Sequence, residues 1–125
     1  MANSTDLVAV LNSYLEAIEA RDLDRCMSFY TDDAVVHFGM GVYRGAKSIT
    51  DWHRERFDAD LHVLEMDRVE AGQDQVTCEL VVTSRRLKAW RINTLRGKGT
   101  FTFRDGKIAE ARFGLAGASA LEGWR

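Results

Sequence analysis

Long apolar runs are missing from this chain of 125 residues. None approaches the roughly 20 consecutive residues that a membrane-spanning helix needs, which excludes a helical membrane protein. The opening residues MANSTDLVAV lack the basic start and extended apolar core of a secretory signal, so a cytoplasmic location is expected. Cysteine is scarce: Cys26 and Cys78 are the only two, each among apolar neighbours and without metal-ligand spacing. Two buried thiols are expected, not a disulfide or a zinc site. HExxH, paired CxxC and any cluster of carboxylates with histidines are also missing, so neither a metal nor a cofactor is expected. RGKG falls short of the GxxxxGKS/T phosphate loop, and no Ser–His–Asp arrangement can be traced. Internal repeats, linkers and low-complexity segments are absent too.

Acids are missing from one long stretch. Between Leu80 and Arg104 there is none, while Arg85, Arg86, Lys88, Arg91, Arg96, Lys98 and Arg104 all occur. Residues 1–79 hold 16 acids and 7 bases and residues 80–125 hold 3 and 10, although the net charge is only −2. Such asymmetry fits a solvated outer sheet face, an anionic ligand, or an acidic surface on a second copy. RRLKAWR mixes bases with Trp90, yet it is short and the chain is mildly acidic, so no nucleic-acid partner is expected.

What is present is a soluble balance, 46% hydrophobic and 29% charged, at a length suited to one domain with one core. That domain spans 1–125, with a core of about 5–115 and a loosely held tail, 116–125. Thr5 can cap a helix whose apolar positions Leu7, Leu11, Tyr14, Leu15 and Ile18 recur at helical spacing. Asp22 can cap a second, short helix through Leu23, Cys26, Met27 and Tyr30. AVVHF reads as a strand, and the glycines of GMGVYRG turn the chain. A third helix runs from about Ala46 to Phe57, with Ile49, Trp52, His53, Arg56 and Phe57 on one stripe. His53 is thereby expected on the inward side. The rest is β: LHVLEMDRVEA, then a strand alternating Val76, Cys78, Leu80 and Val82 with Thr77, Glu79, Val81 and Thr83. A long hairpin around RRLKAW is expected next. Leu95, Gly97, Gly99, Phe101 and Phe103 then share one face of a strand, RDGK turns the chain, and Ala109, Ala111, Phe113 and Leu115 face inward on the last strand. Helices first and strands after imply an α+β fold: three helices on one face of a curved, mainly antiparallel sheet. Gly97 and Gly99 allow a bend or leave room beside a ligand. The mouth of such a cone is a natural place for a small molecule.

The segments YLEAIEARDLDRCMSFYTDDAVVHF, YRGAKSITDWHRERF and GTFTFRDGKIAEARF resemble the nuclear-transport-factor-2-like superfamily, in particular its SnoaL-like polyketide cyclases and ketosteroid isomerases. The resemblance covers almost the whole chain and implies the cone-shaped fold, with a mixed sheet. It also implies roles. Tyr14 matches the phenol that donates a hydrogen bond to a developing enolate. Phe38 stands where isomerases carry their proton-moving carboxylate, with His37 beside it, and Gly99 stands where they carry a protonated aspartic acid. Tyr30 matches one of two further tyrosines behind the donor, and His53 takes the place of the other. Trp52 falls at an aromatic position lining the cavity floor.

Catalytic candidates are therefore Tyr14, His53 and His37. A buried tyrosine ordinarily finds a carbonyl, but Tyr14 would serve as an oxyanion donor. His53 could move a proton, since imidazole titrates near neutrality, or orient the tyrosines. Strand alternation turns His37 outward if Val36 and Phe38 point inward; a bulge near Gly39 would reverse that. Glu65 and Asp67 are a further source for the missing carboxylate, against the usual solvent-facing place of charged strand residues. Substrate-binding candidates are Tyr30, Phe38, Trp52, Arg56, Leu80, Phe101 and Phe113; Arg56 either reaches an anionic substrate at the mouth or snorkels outward. The leading expectation is a cofactor-independent isomerase or cyclase acting on a hydrophobic carbonyl compound. The alternatives are a non-catalytic binding module and a dimerisation scaffold. Homodimer pairing through the sheet face is expected, with Val81, Trp90 and Ile92 suited to it.

Overall fold

The computed structural model describes residues 4–115. The tail 116–125, expected to be loosely held, lies outside the described residues. Helix α1 (Ser4–Glu19) buries Leu7, Leu11, Tyr14 and Ile18, the stripe set by its helical spacing. It already includes Ser4, so Thr5 lies inside the helix and is not its cap. Asp22 does cap α2 (Leu23–Ser28), its carboxylate accepting the Arg25 N–H at 3.1 Å. Tyr30 does not extend α2: it opens β1 (Tyr30–Phe38), which takes in TDD as well as AVVHF. A two-residue turn at Gly39 and Met40, with Gly39 at φ 59°, leads to β2 (Gly41–Arg44). Helix α3 (Gly45–Asp58) buries Ile49, Trp52 and His53.

Strands β3 (His62–Ala71), β4 (Gln75–Thr83), β5 (Leu95–Arg104) and β6 (Lys107–Leu115) complete a six-stranded sheet ordered β2-β1-β6-β5-β4-β3. β1 and β6 run parallel and every other pair is antiparallel, so the curved sheet is mixed. β4 and β5 form the expected long hairpin, pairing antiparallel. Its connection carries a short helix that was not expected, α4 (Arg85–Ala89), capped by the Ser84 hydroxyl, which accepts the Leu87 N–H at 3.3 Å. Five residues are too few to show a helical period. A bulge at Ala109 also changes the last strand: Thr102 pairs with Glu110 and Phe103 with Ile108. Ile108 thus takes the core place expected of Ala109, while Ala111 and Phe113 face inward.

Helix α1 packs on β3 and β4, and α3 on β1 and β2, all on the inner face of the sheet. A fully buried core of Leu11, Val36, Ile49, Val76, Phe101 and Ile108 joins the two layers. Each large apolar side chain removed from water there contributes roughly 1.5–3 kcal/mol. Cys26 and Cys78 are free and buried, and burial pushes each thiol up to about 11.

Candidate functional site

A cavity of about 360 Å³ opens between the helices and the inner sheet face. Tyr14, Ile18, Trp52 and Leu80 border it from the most buried positions. Arg56, Leu61, Val63, Val82, Leu87, Leu95, Phe113 and Leu115 border it from half-buried positions, and Phe38 and Gly39 are its exposed margin. No carboxylate borders it among the described residues. The Arg56 guanidinium lies over the Phe38 ring at 4.6 Å and the Trp52 ring at 5.6 Å, so a cation sits on an aromatic margin. Trp52 in turn stacks on Phe113 at 5.5 Å and 14°.

Next to this apolar space runs a chain of hydrogen bonds. Tyr30 Oη lies 2.6 Å from Tyr14 Oη, which lies 2.8 Å from His53 Nε2; His53 Nδ1 lies 2.7 Å from the Ile49 carbonyl oxygen. The direction of the chain follows from its last member. A carbonyl only accepts, so Nδ1 carries a proton and donates it to Ile49. Burial first, and the nearby Arg56 charge after it, hold the His53 pKa below the usual histidine value despite the Ile49 bond, so the ring is neutral near pH 7. Its Nε2 is then an acceptor, Tyr14 donates to it, and Tyr30 donates to Tyr14. Burial raises both phenols above their ordinary value, which keeps them protonated. Tyr14 has spent its only proton on His53. What remains on its oxygen is one lone pair.

Three residues expected at the site stand behind it. Tyr30, His53 and Phe101 are buried and do not border the cavity; Tyr14 borders it but keeps no accessible surface. His53 thus reaches the cavity only through Tyr14, and Phe101 acts as a prop, its ring 5.4 Å from Phe113. His37 faces the opposite side of the sheet, its Nε2 3.5 Å from Glu110 Oε2 without hydrogen-bond geometry. The irregularity that could have re-aimed it lies between Tyr30 and Val35, not near Gly39. Glu65 and Asp67 do not border the cavity, and Asp67 is held by Arg96 at 2.6 Å. Phe38, Trp52, Arg56, Leu80 and Phe113 do border it.

Residues 11–111 match the SnoaL-like domain family. The chain belongs to that family. Solved structures with the same fold include a candidate polyketide cyclase from Sinorhizobium meliloti, at 23% identity and a TM-score of 0.76, covering 90% of this chain and 99% of that one. SalBIII, an epoxide hydrolase/cyclase-like enzyme with a role in pyran ring formation in the polyether salinomycin, gives 20% and 0.80, covering 95% and 96%. A candidate ketosteroid isomerase from Kribbella flavida gives 12% and 0.74, covering 88% and 77%. No curated protein matches the sequence.

Within this SnoaL-like chain the two positions expected to have lost an acid are occupied by packing. Phe38 fills one with a ring at the cavity margin, 36% exposed. At Gly99 an added Cβ would meet the Phe101 ring at 2.9 Å and Leu80 at 3.5 Å, so the inward space is already taken. Sequence reasoning missed Leu61, Leu87, Leu95 and Leu115 as lining residues. Leu95 and Leu115 were placed on strand faces but not assigned to the cavity. Leu61 lies between α3 and β3, and Leu87 belongs to the five-residue α4, too short to show a helical period.

Proposed function

We propose that this SnoaL-like protein is a cofactor-independent isomerase or cyclase acting on a hydrophobic carbonyl compound by proton transfer. The observation that carries the reading is the apolar cavity abutting the Tyr30–Tyr14–His53 chain. As a substrate C–H or O–H bond breaks, its proton forms a new O–H bond at Tyr14 Oη. The proton Tyr14 already held moves to His53 Nε2, giving an imidazolium that keeps its Nδ1–H on Ile49. Tyr14 remains a neutral phenol beside the anion it has created, and the reverse relay returns a proton elsewhere on the substrate. Entry of a substrate must open the space next to Tyr14, which has no accessible surface at rest. The cyclase and isomerase names carried by proteins of this fold support the same chemistry.

The test is a thermal-shift screen of hydrophobic ketones followed by product analysis of the hits. Tyr14→Phe and His53→Ala are expected to lower turnover by on the order of 100-fold or more while leaving binding of a product analogue in place. Unchanged turnover in both variants would refute the relay. A second reading, a non-catalytic binding module, is favoured by the lack of any carboxylate at the cavity among the described residues. It expects saturable uptake with no chemical change. We also propose pairing of two copies through the outer sheet face, where Val81 is partly exposed.

A further inference from the structure

Two side chains on α3 bring unused hydrogen-bond donors to the cavity. Trp52 and Arg56 are one helical turn apart and share a face. Trp52 is 5% exposed, borders the cavity, and its indole Nε1–H has no acceptor among the described residues. A buried donor without a partner is exceptional in native structures and calls for a reason. Among the described residues, the Arg56 guanidinium, over the rings of Phe38 and Trp52, pairs only with its chain neighbour Glu55, at 3.3 Å. It has five N–H donors and uses one. Of the other polar side chains at the cavity, the Ser84 hydroxyl accepts from Leu87, the Tyr14 proton is held by His53, and Lys98, on β5, is exposed.

We propose that Trp52 Nε1–H and the Arg56 guanidinium form a donor pair for a ligand oxygen that carries full or developing negative charge. The ligand class is then an apolar molecule ending in a carboxylate or an enolisable carbonyl, with its polar end against α3. This rests on the functional reading above and changes its division of labour. Tyr14 and His53 move the proton, and the enolate oxygen is held by α3 instead of by the tyrosine. Phe38, packed edge-on against Trp52 at 5.5 Å and 36% exposed, is the ring that shifts to bring the indole N–H to the ligand.

Three probes of one size separate the outcomes: 4-phenylbutanoate, 4-phenylbutan-2-one and butylbenzene, titrated into the full chain with its indole nitrogens labelled by nitrogen-15. The Trp52 signal is assigned by its loss in Trp52→Phe. All three probes are expected to bind. The Trp52 N–H resonance should move downfield with the acid or the ketone and stay in place with butylbenzene. Arg56→Gln should weaken 4-phenylbutanoate roughly tenfold and leave butylbenzene unchanged, as the loss of a charge-assisted bond requires. A shift with the acid alone assigns a carboxylate ligand, and one with the ketone alone an enolisable carbonyl. If butylbenzene binds while the indole signal stays still with both oxygenated probes, the donor pair is refuted and the cavity reading stands. If none of the three binds, the cavity reading fails and takes the donor pair with it.

Discussion

The Ile49 carbonyl can only accept, and that one fact orients three side chains from three different elements. His53 donates to Ile49 and accepts from Tyr14, so the imidazole must be neutral for the chain to run as it does. Its lowered pKa has a consequence for stability. The folded state resists protonating His53, while the unfolded chain takes up the proton near the ordinary value of about 6.5. The stabilisation is therefore complete above that value and is lost as pH falls toward the folded-state value. Chemical unfolding followed from pH 8 to pH 5 is expected to show stability falling with pH, and the fall should be smaller in His53→Gln. An equal fall in both would mean that His53 is not the group responsible. Protonation also reverses the chain, since an imidazolium donates at Nε2 and frees the Tyr14 proton.

Among the elements, β5 shows most clearly how packing took over positions that resemblance assigned to chemistry. Its inward face was legible in the sequence, because Leu95, Gly97, Gly99, Phe101 and Phe103 keep a strict period of two, and the structure buries Gly99, Phe101 and Phe103. What the period could not convey is that the Phe101 ring and Leu80 occupy the space in front of Gly99. Gly99→Asp is accordingly expected to destabilise the fold by at least the roughly 1–3 kcal/mol of an overpacked core, and not to add an oxyanion donor. A chemical-denaturation midpoint for the variant checks this; an unchanged midpoint would show that the space is free. The α3 stripe was equally legible: Ile49, Trp52 and His53 fall inside as their spacing requires. Their division between cavity and core was not. Neighbouring residues on one helix face point to different depths, and only the packed strands decide which meets the cavity. For α4 the signal was too short, and for Ala109 a bulge shifted the count by one.

At the scale of the whole molecule, the charge asymmetry of the sequence resolves into an ion-paired outer sheet face. Arg96 joins Asp67 at 2.6 Å and Glu79 at 3.2 Å, and Arg112 joins Glu110 at 3.1 Å. Within the acid-free stretch, Arg96 is thus answered by acids from β3 and β4, and Arg104 by Asp33 of β1. Trp90, at the end of α4, is 62% exposed, with the Arg86 guanidinium 6.0 Å from its ring. Pairing of two copies through the outer face is expected to give a dimer in sedimentation, with Val81→Arg shifting it to monomer while leaving ligand uptake in place. A monomer at all concentrations would end that proposal. No described helix is long and apolar enough to cross a membrane.

The pairing of β1 with β6 sets when the site can exist. Phe38 and Phe113 are register partners across that parallel pair, and their rings lie 6.2 Å apart. They belong to the first and last strands in chain order, so closing this aromatic wall demands a long loop closure. On the ribosome, α1, α2 and α3 would all have emerged before the strand that completes their shared hollow. Until β6 docks there is no cavity to fill, and a ligand present during synthesis would find nothing to bind.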